Sequence, residues 1–193
     1  MHIKLERSVM AATVGLACWL LLPRCARAQL LPPNFSGLKA EMKVFEAVID
    51  GTMAPTFVAP FGLLEKTRGT YLPGFGLVFS LEVNLYPLRS TSPFDLTPLT
   101  KAELEKAAKT GRERIATIKE SVPRLLADHA MSLHDLLSDN SVAVVVHLFE
   151  AGPVGAEFPD QLVIATRKSD LDQYWERKIS YQELVTRMEV LEF

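Results

Sequence analysis

Cysteine is almost absent: the two in the chain, Cys18 and Cys25, both fall within the first 28 residues. Residues 29–193 therefore carry no thiol, which excludes a disulfide framework, a cysteine nucleophile and a thiolate metal site there. Positive charge is also scarce. The same stretch holds 17 Lys and Arg against 22 Asp and Glu, a net charge of −5 with histidine neutral. A mildly acidic domain lacks the basic footprint of a nucleic-acid-binding protein, so that partner class is disfavoured and no nucleic-acid partner is expected. No G-x-S-x-G or helical H-x-x-x-H spacing occurs, so neither a nucleophile elbow nor a helix-borne zinc pair is encoded. Ser36-Gly37-Leu38-Lys39 matches S-x-x-K in letters but has no companion motif. There is no internal repeat and no low-complexity segment.

The apolar stretch from Val9 to Leu22 is shorter than the roughly 20 residues a spanning helix needs, and it ends at Pro23. Lys4 and Arg7 precede it, and Ala26-Arg27-Ala28 follows with small residues at the two positions a signal peptidase reads. Residues 1–28 are thus expected to be a cleavable signal peptide, cut between Ala28 and Gln29, with export to the periplasm or medium. Cys18 lies mid-run and Cys25 follows Pro23-Arg24, so neither sits where a lipidated cysteine would. Without a twin-arginine pair, export of an unfolded chain is expected. After cleavage no stable membrane anchor remains.

A proline-rich lead-in, 29–35, precedes a single domain expected over 36–193. About 165 residues can bury roughly two-thirds of their unfolded surface, so the domain needs no covalent staple. Ser36 is placed to cap a first helix in which Leu38, Met42, Phe45, Val48 and Ile49 share a face, with Gly51 at its end. Prolines and glycines from Pro55 to Gly76 break the chain into two or three expected strands. Over 75–85 the odd positions Phe75, Leu77, Phe79, Leu81, Val83 and Leu85 are all apolar, and the even ones are Gly76, Val78, Ser80, Glu82 and Asn84. Such alternation places one face on a core and the other toward water or a partner.

An irregular connection over 86–98 leads into a long helix at about 101–126. Thr100 and Glu103 have capping-box spacing, and Leu104, Ala108, Gly111, Ile115, Ile118, Val122 and Leu125 form one apolar seam. Pro123 is expected to kink or restart it. Asp139-Asn140 turns into Val142–Phe149, apolar on both faces and so a central strand. Leu162–Thr166 is the next strand. Ser169 is placed to cap a short helix reaching about Lys178, Ser180 and Glu183 to cap another over 181–187, and Val190–Phe193 to form a closing strand. The fold class is α+β, one largely antiparallel sheet covered on one face by helices.

Gly69-Thr70-Tyr71-Leu72-Pro73-Gly74-Phe75-Gly76 lacks the lysine and hydroxyl residue of a phosphate loop. It precedes a strand rather than opening a helix, so it is no dinucleotide fingerprint either. Its glycines read as hairpin-turn residues supplying positive φ. No cofactor is predicted. The phrase Gly69-x-Tyr71-Leu72-Pro73-Gly74-x-Gly76-x-Val78-Phe79, with Glu82 following, resembles a family of uncharacterised exported bacterial proteins. The resemblance extends to Arg167-Lys168-x-Asp170-Leu171 and Ile179-Ser180. That family has no assigned activity, so the resemblance implies no site and no reaction.

His129 and His134 are five apart, which turns them to different helix faces, and no third ligand is near in sequence. His129 continues the helix seam and is expected to be partly buried. His147 interrupts an apolar strand and is expected to bond a neighbour's backbone. Tyr174-Trp175 reads as a pair of anchoring aromatics rather than a sugar platform. The row Ser80, Glu82 and Asn84 on the polar strand face offers the candidate contact residues, with Glu82 the leading carboxylate. Two functions stay open. One is a non-catalytic exported domain binding a protein or a cell-surface component of the envelope. The other is a small envelope hydrolase whose residues converge from separate segments.

Overall fold

The computed structural model describes residues 34–55, 63–85, 100–149 and 158–193, all within one compact unit spanning Pro33–Phe193. The expected signal segment, most of the lead-in and the 86–98 connection lie outside the described residues. Helix α1 (Phe35–Met53) opens on Asn34, not on Ser36. The Asn34 side chain accepts from the Gly37 amide at 3.3 Å, and the Ser36 hydroxyl donates to the same oxygen at 2.8 Å. Gly51 does not end the helix, because Met53, two residues on, is buried in the core. Burying a methionine stabilises by about 1.5–3 kcal/mol, against about 1 kcal/mol lost to a helical glycine.

Strand β1 (Leu63–Leu72) is the one strand described between α1 and Gly76, where two or three were expected. It pairs antiparallel with β2 (Gly76–Asn84), with register shifts between Leu63 and Glu65 and between Glu65 and Arg68. A tight turn joins them: the Phe75 amide donates to the Leu72 carbonyl at 3.0 Å, Pro73 sits second and Gly74 third with φ +82°. Proline at the second position and positive φ at the third mark a type II turn. On the outer edge of β1, the Thr67 amide donates to Asp50 at 2.9 Å and the Gly69 amide to Glu46 at 2.8 Å. Two carboxylates one helical turn apart on α1 thus occupy amides that would otherwise invite another strand.

Helix α2 (Lys101–His129) carries the expected capping box at Thr100 and Glu103 and runs three residues beyond 126 before a 3₁₀ turn at Ala130–Ser132. It passes through Pro123 without restarting, because Val122, Pro123, Leu125 and Leu126 are all buried and hold that turn in place. The helix also carries the chain back to the start of the sheet, so that β3 (Ser141–Phe149) lies parallel to β2. A parallel neighbour requires such a crossover. Strand β4 (Gln161–Arg167) is antiparallel to β3, and β5 (Glu189–Glu192) is antiparallel to β4. The sheet order is β1-β2-β3-β4-β5, with β3 at the centre as its apolar sequence requires. Three of its four pairings are antiparallel.

Helix α3 (Lys168–Trp175) begins directly after β4, with Arg167 rather than Ser169 at the cap and no side-chain cap bond. Its first amides are satisfied from a distance instead: Lys168 donates to the Asn140 carbonyl at 2.8 Å and Ser169 to Ser138 at 3.0 Å. It ends at Trp175, short of Lys178. The Lys178 amide bonds Gln173 and the Arg177 amide bonds Tyr174, with Arg177 at φ +59°, a Schellman closure on a non-glycine residue. Helix α4 (Tyr181–Arg187) starts on the expected Ser180–Glu183 box. Leu77, Phe79, Leu81 and Val83 of β2, Val142, Val144 and Val146 of β3, and Leu162 and Ile164 of β4 face the helices in one core. Phe45 and Phe79 meet at its middle, ring centroids 4.8 Å apart. The α+β layout with helices on one face of the sheet is thus as expected. No described helix is long and apolar enough to cross a membrane.

Candidate functional site

The face of the sheet opposite the core carries the groups of interest. Strand alternation turns Val78, Ser80 and Glu82 of β2 away from the helices, and the parallel register sets Val145 beside Ser80 and His147 beside Glu82. From the other flank, the antiparallel register sets Arg68 beside Ser80 and Glu65 beside Glu82. Glu65, Arg68, Ser80, Leu81, Glu82 and His147 together line a depression of about 250 Å³. His147 is exposed, and its ring does not bond the carboxylate directly opposite. Its Nε2 reaches diagonally to the Ser80 hydroxyl at 3.0 Å. With the ring proton on Nδ1, the serine O–H donates to Nε2. The expected backbone partner for His147 is thus replaced by a side chain one rung away.

Of the three candidate residues in the polar row, the structure brings Ser80 and Glu82 to this depression. Asn84 is not among the depression's lining residues. It is wholly buried, and its carbonyl accepts from Arg114 of α2 at 3.0 Å. Burial lowers the Arg114 guanidinium below its ordinary value. The expectation that Asn84 faces solvent or a partner is therefore corrected: alternation gives the side of a strand, not whether the rest of the chain buries that side at the strand's end, and Asn84 is fully buried.

Glu65, Arg68 and the His147–Ser80 bond were not foreseen. The shifted register of β1 is invisible in its sequence, and the pairing of β2 with β3 spans 67 residues between Ser80 and His147. The signal that existed was His147 itself, a lone polar residue in an apolar strand.

The remaining open face is apolar. Val78, Val145, Val163 and Ala165 are half-buried along it, and Phe149 and Leu191 are 46% and 39% exposed. A second depression, about 500 Å³, lies by the α3–α4 junction against Tyr174, Trp175, Arg177, Lys178, Ile179 and Ser180. Its aromatics are anchors as expected: Trp175 Nε1 donates to the Ala127 carbonyl at 2.7 Å, and the Tyr174 and Tyr181 rings lie 6.4 Å apart. Burial raises the Tyr181 hydroxyl above its ordinary value. Lys168, buried, pairs with Asp172 and sits 5.0 Å over the Trp175 ring.

His129 and His134 are both exposed, so His129 does not continue the buried seam. Among the described residues no three His, Asp or Glu side chains converge in a geometry that could hold a metal ion. Ser36 of the S-x-x-K match serves its helix start, its hydroxyl donating to Asn34. No protein family, curated protein or solved structure matches this chain.

Proposed function

We propose that this is an exported domain that binds a protein or envelope component through the face of its sheet that none of the described helices covers. The observation that supports the reading is the composition of that face. Val78, Val145, Val163, Phe149 and Leu191 make an apolar strip, and Ser80, Glu82 and His147 a polar corner. Monomers seldom present contiguous apolar surface rimmed by polar groups unless something docks there. Export rests on the Val9–Leu22 stretch and Ala26-Arg27-Ala28, and the net charge of −5 over residues 29–193 disfavours nucleic acid as the partner. Photo-crosslinkers placed in living cells at Val163, at Leu191 and, on the helix side, at Arg112 test the reading. Crosslinks to one common partner from the first two positions and not from Arg112 are expected. Equal yields from all three would overturn it.

One observation favours a second reading, a small envelope hydrolase: the Ser80 hydroxyl and His147 Nε2 are 3.0 Å apart, within the reach of a nucleophile and its base.

A further inference from the structure

Resting on the hydrolase reading rather than on docking, we propose that Ser80 is an acyl-accepting nucleophile with His147 as its base, and that the site takes short-chain, uncharged carboxylic esters. A serine hydroxyl is a weak nucleophile unless a base within about 2.6–3.2 Å removes its proton as it attacks. The 3.0 Å contact meets that requirement, and both residues sit on nine-residue strands inside the sheet rather than on loops. Rigid neighbouring strands hold such a pair in one geometry.

The surroundings complete the arrangement. Glu82 stands directly across from His147 and makes no hydrogen bond or ion pair of its own among the described residues. Arg68 stands across from Ser80 on the opposite flank from β3. The hydroxyl thus has its base on the β3 flank, and Arg68 lines the same depression from the β1 flank. Ser80 Oγ attacks the ester carbonyl carbon and its proton passes to His147 Nε2. The carbonyl oxygen, now negative, faces the donors of Arg68, the one Lys or Arg among the described residues that line the depression. Collapse breaks the carbon–oxygen bond of the ester, and the alcohol leaves with the proton from Nε2. Water then releases the acid from the acyl-serine through the same base.

Two features set the substrate class. A depression of about 250 Å³ accommodates a short acyl chain. Glu65 and Glu82 outnumber Arg68, so a carboxylate beside the scissile bond is repelled.

The test is full-length protein with p-nitrophenyl acetate, following nitrophenolate release and the mass of each proteolytic peptide. The expected result is an acetyl group on the peptide holding Ser80, with turnover. Ser80→Ala removes both, His147→Gln slows acylation by about 100-fold or more, and Arg68→Gln lowers kcat more than KM. Ser36→Ala leaves turnover unchanged. Thermal melts accompany every variant. Should one fail to fold, the position of the adduct in the unaltered protein still decides the nucleophile. No adduct, an adduct on another residue, or a rate indifferent to His147→Gln overturns the proposal. Ester turnover abolished only by a residue outside this depression would leave the hydrolase reading standing and this site fallen.

Discussion

Adding one methyl group at Gly76 tests how β2 and β3 meet. Gly76 opens β2 with φ +131°, in register with Ser141 at the start of β3. A Cβ there would lie 2.1 Å from the Ser141 carbonyl oxygen, 2.8 Å from its nitrogen and 3.1 Å from the Asn140 Cβ. These are mostly backbone atoms, and they are pinned, since the Ser141 amide donates to the Phe75 carbonyl at 2.7 Å. Gly76→Ala therefore incurs the positive-φ strain, about 1–2 kcal/mol, and an overpacking cost of about 1–3 kcal/mol. At about 2–4 °C per kcal/mol for a domain of this size, the melting temperature should fall by about 4–20 °C. Gly74→Ala is the control. Gly74 also has positive φ, +82°, but nothing lies within 4 Å of a Cβ there. Its loss should be the strain alone, about 1–2 kcal/mol. Urea and thermal unfolding of both variants measure the difference. If Gly76→Ala is no more costly than Gly74→Ala, the close approach of β2 and β3 is wrong, and with it the register that aligns Glu82 with His147.

Three further outcomes follow from named contacts. Glu82→Ala, at a half-exposed strand position, should change stability by no more than about 0.5 kcal/mol, whereas Asn84→Ala, which leaves a cavity at a fully buried position, should cost about 0.5–3 kcal/mol, as read by urea unfolding. Arg177→Gly should stabilise by about 1 kcal/mol in the same assay, because it relieves a left-handed residue at a helix end. The Ser180 amide and then its hydroxyl, with Arg187 adding, hold Glu183 below the ordinary glutamate value. A depressed carboxylate contributes stability that is full above its unfolded value and lost as pH falls through the folded one. Ser180→Ala removes the hydroxyl but keeps the amide, the larger cause, so an NMR titration of Glu183 should move up only part of the way toward the ordinary value; an unchanged midpoint would show that the hydroxyl is not among the causes.

Local signals were legible wherever the chain's own neighbours decide the structure. The capping boxes at Thr100 and Ser180 need only residues three apart, and the buried seam of α2 and the alternating core face of β2 need only a period of 3.6 or 2. Those periods, with the Pro73-Gly74 turn, determined an α+β sheet with one face on a core. Where distant groups take over a local task, the sequence is silent. Asn140 and Ser138 cap α3 in place of Ser169, and a buried Met53 carries α1 past Gly51. The site belongs to this second kind. That Ser80 and Glu82 leave the core face is a matter of alternation, but their meeting with His147, Arg68 and Glu65 depends on a parallel crossover and a shifted register. Strand pairing is a choice among segments far apart in the chain, made by the summed burial of both faces, and no single residue encodes it. For that reason Asn84 and Ser80, four residues apart on one strand face, end in a sealed strand end and an open depression.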